Sequence, residues 1–114
     1  MNSFMMNGIT WSVYYVKPYD DYLIDRTGVS KLATTDPSTC HIYVNEEVLE
    51  NRVLWRRVIM HELAHCVMIS YGLIGVLHQY VKRKYWFEAE EDLCNFIADY
   101  SEMVVDLTEY LSLN

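Results

Sequence analysis

Ile59-Met60-His61-Glu62-Leu63-Ala64-His65-Cys66-Val67 is the stretch from which the rest of this chain is read. On an α-helix, residues four apart lie one turn apart on the same face, so His61 and His65 aim their imidazoles at one point beside the helix. Neutral imidazole is a ready ligand for zinc, and a catalytic zinc site usually has three protein ligands and one position left for water. Glu62 is the natural proton acceptor for that water, because a metal that lowers the water's pKa brings its proton within a carboxylate's reach.

Two histidines and a glutamate would fall into this spacing by accident in well under ~1% of chains of this length. The neighbours also suit a helix buried behind a metal site. Leu63, Ala64, Cys66 and Val67 are uncharged, and no Pro or Gly interrupts residues 53–71. The expected chemistry is metal-assisted hydrolysis of a peptide bond, with Glu62 carrying the proton from water to the leaving amine.

At 114 residues the chain is expected to form a single domain, residues 1–114, with one core and no need of staples. A hydrophobic share of 52% with ten tyrosines is that of a folded protein. The net charge of -7 argues against nucleic acid as a partner, because phosphate recognition is mostly cationic. Lys82, Arg83 and Lys84 read as a solvated basic loop. Cys40, Cys66 and Cys94 form no Cys-x-x-Cys pair, and their odd number makes a disulfide framework unsuitable. The N-terminal segment lacks a basic region followed by a long apolar one, and the apolar run at 66–77 is short for a bilayer. A soluble, cytoplasmic protein without a membrane partner is therefore expected.

Around the central stretch, residues 10–16 read as a strand: Trp11, Val13 and Tyr15 alternate with Ser12, Tyr14 and Val16. Residues 18–28 are acidic and compatible with a short helix that Gly28 would end. Segments 31–35 and 39–44 flank the turn-forming Asp36-Pro37-Ser38 and predict a hairpin. Asn45, with Glu46 and Glu47 after it, suits a helix start, and Gly72 a helix stop. The segment 78–85 carries no readable pattern. From about Glu88 onward, Leu93, Phe96, Ile97, Tyr100, Met103, Val104, Leu107, Tyr110 and Leu111 recur at three- and four-residue steps, which predicts a long amphipathic helix with that stripe in the core.

Two histidines hold zinc weakly, so a third ligand is required. A third histidine in the pattern His-Glu-x-x-His-x-x-Gly-x-x-His is excluded, because Met68 and Tyr71 stand at the Gly and His positions. His78 would reach back only through an irregular turn. The better source is the acidic start of the last helix, where Glu88, Glu90, Glu91 and Asp92 crowd one turn. Such a run is ordinarily a solvated helix start favoured by the helix dipole. Glu91, however, shares a face with Asn95, four residues on, beside the small Cys94 and Ala98. From there Asn95 would hydrogen-bond a ligand histidine and fix its orientation.

The His61-Glu62-x-x-His65 helix, preceded by a strand at 41–44 and followed by Glu91-x-x-Cys94-Asn95-x-Ile97-Ala98, resembles the small IrrE/ImmA-like metallopeptidases of bacteria, prophages and mobile elements. In that family the later segment usually reads Glu-x-x-Ala-Asn-x-Phe-Ala, so Cys94 and Ile97 are departures. The resemblance spans residues 39–98. It implies an α+β, minimal zincin-like fold: a short antiparallel sheet packed on the His-Glu-x-x-His helix, plus a long C-terminal helix. It also implies a gluzincin-type zinc site with His61, His65 and Glu91 as ligands, Glu62 as general base, and a protein or peptide substrate, such as a regulatory protein. The sheet edge at 41–44 is expected to align that substrate as an added strand. Tyr71, His78, Tyr80 and Tyr85 are candidate donors to the oxyanion. The rival expectation is a non-catalytic binding or inhibitor protein of phage or mobile-element origin, stapled by a zinc that Cys94 or His78 closes as fourth ligand.

Overall fold

The computed structural model describes residues 2–113. They form an α+β domain with strands β1 (Asn2–Met6), β2 (Ile9–Val16), β3 (Ala33–Asp36) and β4 (His41–Asn45), and helices α1 (Arg52–Ser70), α2 (Leu73–Tyr80) and α3 (Trp86–Ser112). Short 3-10 turns at Asp21–Leu23, Glu46–Glu50 and Arg83–Tyr85 join them.

The sheet has the order β1-β2-β4-β3. It is mixed: β1 and β3 pair antiparallel with their neighbours, while β2 and β4 run parallel, Val13 beside Ile42 and Tyr15 beside Val44. The wholly antiparallel sheet expected from the sequence is corrected here. Trp11, Val13, Ile42 and Val44 are all buried on one face, so their two strands need the centre. The short, polar Ala-Thr-Thr-Asp strand β3 tolerates an edge, which obliges the chain to turn back between β3 and β2. Strand β1 has no counterpart in the sequence reading. Its hairpin turns on Asn7-Gly8, both at positive φ (50° and 78°), as the tight turn that fits strand twist demands.

The inner sheet face packs on α1 through Val48, Val58 and Cys66. Two indoles fix this layer: Trp11 Nε1 donates to Ser70 Oγ at 2.9 Å, and Trp55 Nε1 donates to Tyr15 Oη at 2.9 Å. Helix α1 starts where the Asn51 side chain accepts from the Leu54 amide, and Asn45 caps the preceding 3-10 turn in the same way. At Gly72 the chain takes a left-handed conformation (φ 70°), and α2 leaves at 91° to α1. Residues 78–85, unreadable in sequence, finish α2 and make a 3-10 turn, with the His78 ring stacked on Trp86 at 3.7 Å. The helix expected at 18–28 is one 3-10 turn ending at Leu23, with Gly28 in the loop beyond.

Helix α3 lies antiparallel to α1, tied by Arg57 to Asp99 and Arg56 to Glu102. Its buried residues are Cys94 and Ala98, whose small side chains let the helices approach closely. The apolar stripe expected to be core is instead exposed: Phe96 is 61%, Met103 55% and Leu107 53% accessible. Periodicity reveals an apolar face but not what covers it, and α1 takes the opposite side of α3. No single helix among the described residues is long and apolar enough to cross a membrane.

Candidate metal centre

His61 and His65 project from consecutive turns of α1 with their Nε2 atoms 3.2 Å apart. Across the helix interface Glu91 places Oε2 3.3 Å from His61 Nε2 and Oε1 3.0 Å from His65 Nε2. Donors at three corners of a tetrahedron around an ion ~2.0–2.2 Å away stand about 3.3–3.6 Å apart. The two imidazole nitrogens and the two Glu91 oxygens that face them stand 3.0–3.3 Å apart, close to that spacing, so two imidazoles and a carboxylate could hold a metal ion. Among the described residues this is the cluster of ligand atoms that could hold one.

Glu90 completes the support. Its Oε2 lies 2.6 Å from His65 Nδ1, so the Nδ1 proton is donated to a carboxylate and Nε2 is the nitrogen turned toward the site. Asn95, expected to orient a histidine, lines the same cleft, and among the described residues no hydrogen bond joins it to either histidine. In the sequence Glu90 reads only as one more candidate ligand among the acids of this turn. An acid directly before a ligand acid, on the helix that crosses the histidines, was the available signal.

Glu62 is buried to 4% exposure beneath this cluster. Thr35 Oγ1 of β3 donates to its Oε1 at 2.9 Å, and its Oε2 stands 3.7 Å from His61 Nε2. Burial raises its pKa above the ordinary carboxylate value, against the pull of His65, His61 and the Thr35 hydroxyl. Without metal, burial opposes charge on His65, but contacts with Cys94, Glu90 and Glu91 outweigh it and hold the imidazole at about 12. Bonds to His61 and His65 hold Glu91 well below the usual carboxylate range. Proton and metal thus compete for one set of atoms. Cys94 stays a thiol, pushed up by burial, with Sγ 3.9 Å from Met68 Sδ.

The site opens into a cleft of about 840 Å³ whose walls include Tyr22, Leu32, Tyr43, Phe87 and Arg26. Of the expected oxyanion donors, Tyr71, Tyr80, Tyr85 and His78 lie outside it, and Tyr22 and Tyr43 are the tyrosines on its wall. The sheet edge also moves. Strand β4 is interior, between β2 and β3, so the free edge beside the site is β3. The amide of Asn45 bonds the carbonyl of Leu32 while Ala33 stands opposite Val44, which makes Ala33 and Thr35 the residues whose backbone groups face outward.

No family model, curated protein or solved structure matches this chain.

Proposed function

We propose that this chain is a zinc metallopeptidase that cuts a polypeptide laid as an extended strand against β3. The observation that carries the reading is the conjunction of the His61, His65 and Glu91 donors with a buried, non-ligating Glu62 at the floor of one cleft. The likeness of residues 39–98 to IrrE/ImmA-like peptidases supports the same assignment.

Zinc held by His61, His65 and Glu91 would supply Lewis acidity, polarising a carbonyl and easing deprotonation of water. The remaining work belongs to the chain. Glu62 takes the proton from the attacking water and returns it to the leaving amine, and its raised pKa suits a group that must do both. Thr35 holds one Glu62 oxygen so that the other faces the histidines. Glu90 holds His65 in the tautomer that presents Nε2. The outward amides and carbonyls of Ala33 and Thr35 offer ladder bonds to a strand, and because Thr35 also holds Glu62, the same residue aligns substrate and proton acceptor. The donor cluster comprises His61, His65 and Glu91 without Cys94, and His78 is stacked on Trp86 outside the cleft, which disfavours a site closed by a fourth protein ligand.

The test compares wild type with Glu62→Gln in zinc content by elemental analysis and in cleavage of a degenerate peptide library. One zinc in each, with cleavage reduced ~10²-fold to 10⁴-fold in the variant, is expected. Full zinc loading with equal cleavage in both, or with none in wild type, would replace the enzyme with a zinc-stapled binding module.

A further inference from the structure

The outward face of α3 is built on a seven-residue repeat that the metal centre does not use. Leu93, Tyr100 and Leu107 form one line, Phe96, Met103 and Tyr110 a second, and Ile97, Val104 and Leu111 a third beside them. On a helix these make one continuous stripe over three heptads, the pattern of a coiled-coil seam. Apart from Ile97, which packs in part beneath α2, the stripe is exposed. Its apolar area, on the order of several hundred Å², exceeds what isolated surface residues leave bare.

What borders the stripe narrows its occupant. A fourth line of the same period, Asp92, Asp99 and Asp106, runs along one side, with Glu102 and Glu109 behind it. Helix α3 has eight acidic residues and no Lys or Arg in its 27. Arg57 engages Asp99 and Arg56 engages Glu102, whereas Asp92 and Glu109 have no ion pair among the described residues. A second copy fits badly. Antiparallel pairing of two α3 helices sets the aspartate lines against each other, and parallel pairing sets them against Ile97, Val104 and Leu111, while two chains of net charge -7 repel. An anionic membrane is disfavoured by the same acids.

We propose that this face docks an amphipathic helix of a partner protein, with apolar residues at three- and four-residue steps and Lys or Arg along the flanks that meet the aspartates. The inference holds whether or not the metal centre is catalytic.

The probe is a labelled 21-residue helical peptide with Leu at the seam positions and Lys at both flanking positions, beside a twin carrying Glu at those flanks. Binding to the full chain is read by fluorescence anisotropy at physiological salt. The decisive variant is M103E/L107E. It adds negative charge to exposed positions, so plain charge attraction would strengthen binding of the Lys peptide, whereas seam docking weakens it. Expected are binding of the Lys peptide, at least about tenfold weaker binding of the Glu twin, and a loss of about tenfold or more in M103E/L107E with unchanged circular dichroism. Equal binding of both peptides, no binding of the Lys peptide, or undiminished binding by M103E/L107E overturns the proposal. So does a wild-type dimer in sedimentation that M103E/L107E abolishes, which would assign the face to a second copy.

Discussion

Glu90 and Glu91 stand next to each other in sequence yet should fail in different ways when removed. Glu91→Ala deletes one of three donors. Shared over four ligands, the roughly 10–16 kcal/mol of a structural zinc site is roughly 3–4 kcal/mol per ligand, or about 10²-fold to 10³-fold in affinity. Glu90→Ala leaves the donors in place and removes only the acceptor 2.6 Å from His65 Nδ1. Partners of that kind are worth about 10-fold to 100-fold. Asn95→Ala should change affinity by less than about twofold, the scale of substitutions that remove no specific contact. Titrating each purified variant with zinc against a chromogenic chelator gives the three constants in one assay, and metal-free thermal melts check folding. The expected order of loss is Glu91, then Glu90, then Asn95. Glu90→Ala losing more than Glu91→Ala would make Glu90 the ligand, and Asn95→Ala losing tenfold while Glu90→Ala loses nothing would restore the orienting role to Asn95.

Chelating a zinc present at ~100 times its dissociation constant should remove about 2.7 kcal/mol, roughly 10 °C in Tm for a chain of this size, because the ion links α1 to α3. An unchanged melt in a zinc-loaded sample would count against that link. Since His65 in the metal-free chain is held at about 12, it carries a proton at neutral pH that metal must displace. Zinc uptake should therefore release at least one proton and tighten as pH rises, measured with indicator dye in weak buffer; affinity flat from mildly acidic to mildly basic pH would contradict the competition. Ser70→Ala strands the buried Trp11 indole N–H and should cost about 1–3 kcal/mol in urea unfolding, and no loss would mean that the indole finds another acceptor.

The parts of this fold legible in the sequence were those with a short-range cause. The histidines of α1 lie one turn apart on one face, Asp36-Pro37-Ser38 announces its hairpin, and Gly72 ends its helix. The third donor was legible as one acid among four, because the helical faces of Glu91 and Cys94 can be drawn before any helix is packed. Parallel pairing of β2 with β4 was not legible, since it depends on which strands compete for the centre of the sheet. Asn7-Gly8 carries a usable hairpin signal, but the five residues of β1 before it are too short a run to declare a strand alone. The α3 stripe shows the limit most clearly: its period was read correctly, but its burial depends on a neighbour that the described residues do not supply.

The donors of the metal centre are unevenly spread along the chain: His61 and His65 sit one turn apart, and Glu91 follows 26 residues after His65, beyond α2 and a 3-10 turn. A ribosome adding roughly 5–20 residues per second needs on the order of one to five seconds to cover that interval. Throughout it the nascent chain carries the two imidazoles and the Glu62 carboxylate but no third donor. The donor set is thus complete only once α3 has been made and packs on α1, and a chain still in synthesis offers an ion two donors instead of three.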